Sequence, residues 1–352
     1  MNQLTNEKNN RQVANWLFLG VLMIIVQVLI GGITRLTESG LSITEWKPIT
    51  GALPPLNDIA WQQEFAKYRG TDQFKYVHQY FSLSDFKFIF FWEWFHRLWA
   101  RLLGVVFLIG FIYFLATKKF TRPMILPMIL LFILGALQGA IGWLMVRSGL
   151  VPEKFFVGHV ELTTHLIAAL ILLAYTCWFA ISLLPSFRQK ILSSPLKNQL
   201  RFITVIFFLQ LMYGGFMAGL KAAVIAPTWP DINGKMIPTF SGSIFNDPLE
   251  IHFIHRTLAY LLLILIGWFY FNSRSYSHHK PFNYFRNGLL ILIITQALLG
   301  ISTVLNAGKG NLFVFFGVAH QFIAMLLVIC ITFLLYLVRN QDRQYFISKQ
   351  VS

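Results

Sequence analysis

The sequence predicts an all-α polytopic membrane protein with eight transmembrane helices, arranged as two pseudo-symmetric four-helix bundles. Three observations lead there. Of 352 residues, 56% are hydrophobic and only 12% charged, about half the charge of an ordinary soluble domain. Eight apolar stretches each reach the roughly 20 residues needed to cross a hydrocarbon core. Alternate stretches also carry the same residue patterns, as a duplicated unit would. The 35 phenylalanines exclude a disordered chain.

The stretches run at roughly 15–34, 96–117, 122–144, 158–183, 198–219, 253–272, 285–306 and 313–338. None alternates over about ten residues, as a strand of a membrane barrel does. The first follows a polar tail, 1–14, without a small-residue cleavage site, and is expected to stay as a helix. Before the second, Ser84-Asp85 is expected to cap a helix running on to 117. That helix is about 50 Å long, so it projects beyond the membrane and puts Glu93 and His96 near the outer boundary. An N-terminal bundle (15–183), a linker (184–197), a C-terminal bundle (198–338) and a tail (339–352) follow from this division.

The formal charge of +15 comes from 29 Lys+Arg against 14 Asp+Glu. In a soluble protein it would suggest nucleic acid. Here 15 of the cations fall in the two tails and the 2–3, 4–5 and 6–7 connections: Lys8, Arg11, Lys118, Lys119, Arg122, Arg188, Lys190, Lys197, Arg201, Arg274, Lys280, Arg286, Arg339, Arg343 and Lys349. Those segments hold only Glu7 and Asp342 as acids. By the positive-inside rule both termini are cytoplasmic, and no nucleic-acid partner is called for. The longer connections, about Arg35 to Trp92 and Lys221 to His252, lie outside.

The odd spans share one pattern: Gln27-x-x-x-Gly31, Gln138-x-x-x-Gly142, Gln210-x-x-x-Gly214 and Gln296-x-x-x-Gly300. Each even span carries a histidine near its outer end: His96, His165, His255 and His320. The spacing nearly repeats between halves that cross in the same orientation, so the repeat is parallel. The glycines, with Gly135/Gly139 and Gly215/Gly219, are expected where helices pack closely, and the glutamines to bond between helices. The glycines could also admit a flat ring close to the backbone.

Four inward histidines, two per half at one depth, suit a metal. Zinc would want a tetrahedral set, and Cys177 and Cys330 lie too deep to complete one. A haem needs only two axial side chains. Arg97, Arg101 and Arg256 would then pair its propionates, or else contact lipid headgroups. Glu93 stands one turn before His96, on the same face; it would either reach a haem there or simply pair Arg97 by i,i+4. At the matching place the second half has His252, an asymmetry suggesting that one half reacts and the other carries electrons. His159 is at best a supporting residue, and His78, His278 and His279 are expected to be solvated.

The segments GGITRLTESGLSITEWKPITGALPPL (31–56), EWFHRLWARLLG (93–104), GHVELTTHL (158–166), APTWPDINGKMIP (226–238), IHFIHR (251–256) and AHQ (319–321) resemble haem A synthases, in the subtype found in mitochondria and alphaproteobacteria. The resemblance runs from about 15 to 338. It implies an inner-membrane oxidoreductase that converts the C8 methyl of haem o to the formyl group of haem a for terminal oxidases. His96 and His165 would ligate the substrate haem in the N-terminal bundle, near the periplasmic side. His255 and His320 would hold a resident haem b in the C-terminal bundle, and Glu93 would take part in the reaction. A haem O synthase, oxidase assembly factors, an electron acceptor and a second copy of the chain are the expected partners. One branch carries a cysteine pair in the first outer loop, which is missing here, so Cys177 and Cys330 are expected to be unpaired. The alternative is a diheme cytochrome b-like electron carrier without turnover, and a third reading is a transporter.

Overall fold

The computed structural model describes residues 3–45 and 50–339. Asp342, Arg343 and Lys349 of the tail, and Trp46 to Ile49 of the first motif, lie outside the described residues.

The first helix, α1 (Gln3–Leu36), begins well before the apolar stretch. The polar segment counted as tail contains neither Pro nor Gly to stop a helix, so hydropathy marked the span and missed the helix. Outside the membrane come two short helices. These are α2 (Asp58–Arg69), capped by Asn57 Oδ1 accepting from Ala60 N, and α3 (Asp72–Tyr76), capped by Thr71. Neither was expected. They explain the long second span, α4 (Leu83–Ala116): its outer turns are covered by α2. Phe86 stacks on Phe65 at 5.1 Å and on Tyr68 at 5.3 Å, making a small core above the membrane. The cap of α4 is Ser82, not Ser84-Asp85. Ser82 and Asp85 form a reciprocal capping box in which Asp85 Oδ2 accepts from Ser82 N at 2.9 Å.

Next come α5 (Ile125–Gly149), α6 (His159–Ser182), β1 (Ile191–Leu192), α7 (Ser194–Gly219), α8 (Ala222–Ile225), α9 (Pro248–Asn272), α10 (Lys280–Leu305), α11 (Asn311–Leu337) and β2 (Val338–Arg339). Among the described residues eight of these helices are long and apolar enough to cross a membrane, and the fold is the expected all-α one. In the first half α1 packs on α4 and α6, and α6 on α5. In the second α7 packs on α9, and α10 on α9 and α11. The halves meet where α6 packs on α7 and α11, and α11 on α1. Leu17, Leu173, Ile203 and Leu327 belong to one continuous core across that junction. At the end of the bundle opposite α2 and α3, β1 pairs in parallel with β2, Ile191 opposite Val338, tying the linker to the end of α11.

Small residues explain part of the packing. A Cβ on Gly215 would lie 2.6 Å from Thr163 Oγ1, and one on Gly219 would collide with His159, so α6 and α7 approach through these glycines. Gly135 and Gly139 do not behave this way: nothing lies within 4 Å of a Cβ at either. Both are exposed, on the side of α5 that also carries Gln138 and Gly142, so no neighbouring helix packs on them. Cys177 and Cys330 are free and buried.

Candidate functional site

The four histidines fall into four copies of one local arrangement. Gln27 Nε2 donates to the His96 carbonyl at 3.2 Å, and a Cβ on Gly31 would stand 3.1 Å from His96 Nε2. Gln138 Nε2 lies 3.2 Å from both His165 Nδ1 and its carbonyl, while a Cβ on Gly142 would stand 2.7 Å from His165 Cε1. Gln210 Nε2 lies 3.3 Å from His255 Nε2, and a Cβ on Gly214 would stand 3.2 Å from His255 Cε1. Gln296 Nε2 lies 3.1 Å from His320 Nε2, His320 Nδ1 lies 3.0 Å from the Gln296 carbonyl, and a Cβ on Gly300 would stand 3.0 Å from His320 Cε1.

One heptad-like register produces all four. Gln and Gly, four residues apart, share a face of the odd helix; the Gln meets the histidine of the neighbouring helix and the Gly leaves room for its ring. The flat ring admitted by the glycines is thus the imidazole itself. His96 lies within electrostatic reach of His165, and His255 of His320, so the pairing runs within each half. All four side chains are half-buried.

Glu93 is buried at 3% exposure. Its Oε2 accepts from Ser42 Oγ at 2.7 Å and Ile43 N at 2.8 Å, and its Oε1 pairs Arg97 at 2.5 Å. Arg97 in turn donates to the Glu45 and Ile43 carbonyls. Arg256 does the same work in the other half. It donates to His252 Nε2 at 3.0 Å and to the carbonyls of Thr228, Pro230 and Asp231. Each arginine therefore follows its histidine by one residue, reaches the residue one turn before it, and clamps an outer loop. The i,i+4 partner is a carboxylate in one half and a buried, neutral-type acceptor, His252, in the other. Arg101, one turn further along α4, is half-buried.

Several residues escaped the sequence reading. Glu250, 2% exposed, accepts from Ser241 Oγ and Gly242 N, matching the Ser42 and Ile43 bonds of Glu93; no spacing rule flagged it. Gln321, beside His320, donates to the Val28 carbonyl of α1 at 3.0 Å. His78 is buried, not solvated: its Nδ1 lies 2.6 Å from Tyr68 Oη and its Nε2 3.5 Å from Glu38. Glu38 also pairs Lys221 of the second half. Hydrogen bonding to His78, with Lys221 adding to it, pulls the Glu38 carboxyl down to about 2. His279 is likewise buried, capping α10 through Phe282 N, and His278 is exposed. His159 Nε2 bonds the Phe245 carbonyl at 2.9 Å, between the halves.

Known proteins align with this whole arrangement. A curated heme A synthase of Flavobacterium johnsoniae is 38% identical over 341 residues, covering 94% of this chain and 98% of its own. That of Flavobacterium psychrophilum is 39% identical with the same coverages. That of Parvibaculum lavamentivorans is 38% identical over 91% of this chain and 92% of its own. The family model described as COX15-CtaA, cytochrome oxidase assembly protein, matches residues 14–332. That match takes in all four histidine units and both arginine clamps, so the chain belongs to the COX15-CtaA family of cytochrome oxidase assembly proteins.

Proposed function

We propose that this protein is a haem A synthase: an integral inner-membrane oxidoreductase that converts the C8 methyl group of haem o to the formyl group of haem a. Two supports combine. Relatives carrying that name cover nearly the whole chain, and two histidine pairs stand in glycine-relieved niches, with Glu93 paired to Arg97 one turn before His96 where the second half has His252 paired to Arg256. The observation that carries the reading is that the arginine-paired residue one turn before the histidine is a carboxylate, Glu93, in one half and His252 in the other.

The residues fit haem. Paired imidazoles are the side chains that would hold a haem iron, and a Cβ at any of the four facing glycines would press on the imidazole ring. His96 and His165 would hold haem o, the substrate, and His255 and His320 would hold haem b. A haem b there would supply one-electron redox chemistry. Glu93, with both oxygens taken by fixed donors, sets a negative charge beside the substrate and offsets cationic character near the methyl group. Arg97 and Arg256 hold the outer loops closed over the rim, and Arg101 pairs a propionate. Both termini face the cytoplasm and both haem sites the periplasmic side. A haem O synthase and oxidase assembly factors are the natural partners for delivery and export.

Pigment extraction from the purified full-length protein tests this. Haem b together with haems o and a is expected; haem b alone would make the protein a carrier, and no haem would sink both readings. His255→Ala is expected to remove haem b while leaving haem o binding.

A further inference from the structure

Four of the cations that orient the chain converge at the end of the bundle opposite α2 and α3. The pairing of β1 with β2 brings Lys190, immediately before β1, close to Arg339, the last residue of β2. Lys190 donates to the Phe187 carbonyl at 2.7 Å, and its Nζ stands 3.1 Å from the centre of the Tyr336 ring. Lys197, in the first turn of α7, donates to the Leu335 carbonyl of α11 at 2.5 Å. Lys190 lies within electrostatic reach of Arg339 and Lys197, and Lys197 of Arg201 and Arg339. Among the described residues no carboxylate pairs with any of these four. Burial, with the charges of Arg339 and Lys197 adding to it, pushes the Lys190 ammonium down to about 7. The fold therefore holds like charges together, with spare donors and no anion of its own.

The depth of the cluster indicates what supplies the anion. The apolar spans of α7 and α11 begin at Ser194 and end at Leu337, so Lys197 and Arg339 stand where hydrocarbon gives way to headgroups. Trp178 of α6 is exposed and meets Tyr336 edge-on at 5.1 Å, as aromatic side chains do at a bilayer boundary. Leu192, opposite Arg339 in the β pair, is exposed as well. We propose that Lys190, Lys197, Arg201 and Arg339 bind the phosphate of an anionic phospholipid at the junction of the two halves. Ammonium and guanidinium groups donate charge-assisted hydrogen bonds to phosphate oxygens, and basic groups gathered between span ends recognise such headgroups. Trp178 and Leu192 offer an apolar edge to the glycerol and acyl chains, which a free phosphate would leave unused. The site is independent of the haem reading.

Cardiolipin, phosphatidylcholine with the same acyl chains and inorganic phosphate are titrated separately against the purified full-length protein. Binding is read by native mass spectrometry and by thermal unfolding in detergent. Cardiolipin is expected to bind more tightly than phosphatidylcholine and to raise the unfolding temperature, and inorganic phosphate to leave it unmoved. Lys190→Gln combined with Arg339→Gln should weaken cardiolipin binding by about tenfold or more. Lys118→Gln with Arg122→Gln removes the same charge from exposed positions between α4 and α5 and should leave the affinity nearly unchanged. Arg339 is exposed, so Arg339→Gln alone, with a smaller loss expected, keeps the test open if the Lys190 variant fails to fold. Equal weakening by both pairs, or equal affinity for the two lipids, overturns the site in favour of diffuse surface charge. Stabilisation by inorganic phosphate as large as that by cardiolipin overturns the lipid as its occupant.

Discussion

Gly32 of α1 lies directly under Gln321 of α11: a Cβ there would collide with Gln321 Oε1, while the Gln321 amide donates to the Val28 carbonyl at 3.0 Å. Gly31 next to it faces His96, and Gln321 follows His320. One glycine pair therefore joins the histidine sites of the two halves. Gly32→Ala and Gln321→Leu should each lower stability by about 1 kcal/mol, the worth of a hydrogen bond. Combined, they should cost no more than one alone, since both remove the same contact; thermal unfolding of the three variants in detergent checks this, and simple additivity would refute it.

Glu93→Gln keeps an oxygen for Ser42 and Ile43 but gives up the charge facing Arg97. Haem b should remain, and haem a should fall at least tenfold with haem o accumulating, a loss of roughly 1.4 kcal/mol or more in the reaction barrier. Chromatography of extracted haems decides it: a normal yield of haem a leaves Glu93 a loop anchor.

Two glycine substitutions on α5 should behave oppositely. Gly142→Ala would place a Cβ 2.7 Å from His165 Cε1, turning the ring, so haem o and haem a should be lost from the preparation while haem b stays. Gly139→Ala meets nothing within 4 Å and should be neutral, or stabilising by up to about 1 kcal/mol through helix propensity. Equal haem content in both variants would contradict the niche.

The tie between Glu38 and Lys221 sets a pH dependence. Because His78 and Lys221 pull the Glu38 carboxyl from 4.5 to about 2, the ionised form is favoured by folding. Its contribution is complete above pH 4.5 and is lost as pH falls through about 2. Glu38→Gln should therefore unfold at lower temperature than wild type at pH 6, with the gap closing as acid is added toward pH 3. A gap that stays constant with pH would rule out the charge as its source.

Much was legible in the chain because a bilayer imposes simple demands. Eight apolar stretches gave eight spans, and the odd-even pattern of Gln, Gly and His identified residues that do meet. Helix ends were less legible: α1 extends back through Asn6 to Arg11, where polarity ends the span but not the hydrogen bonding. His78 looked solvated because its loop is polar, yet α2 and α3 bury it against Tyr68 and Phe81, a fold of the loop that no periodicity announces. Gly135 and Gly139 had the spacing of a packing motif, yet no neighbouring atom lies within 4 Å of a Cβ at either.

The sequence by itself determined the class, the spans, the repeat and the candidate ligands, since each depends on local composition and on residues within one helix turn. Only the tertiary structure decided what each candidate touches. It gave Arg97 and Arg256 to loop carbonyls, made the glycines niches for imidazoles, and left four glutamine oxygens without donors. Those outcomes depend on which helix faces which, and that is set by packing across the whole bundle, where the chain separations run from tens of residues to the 293 between Val28 and Gln321.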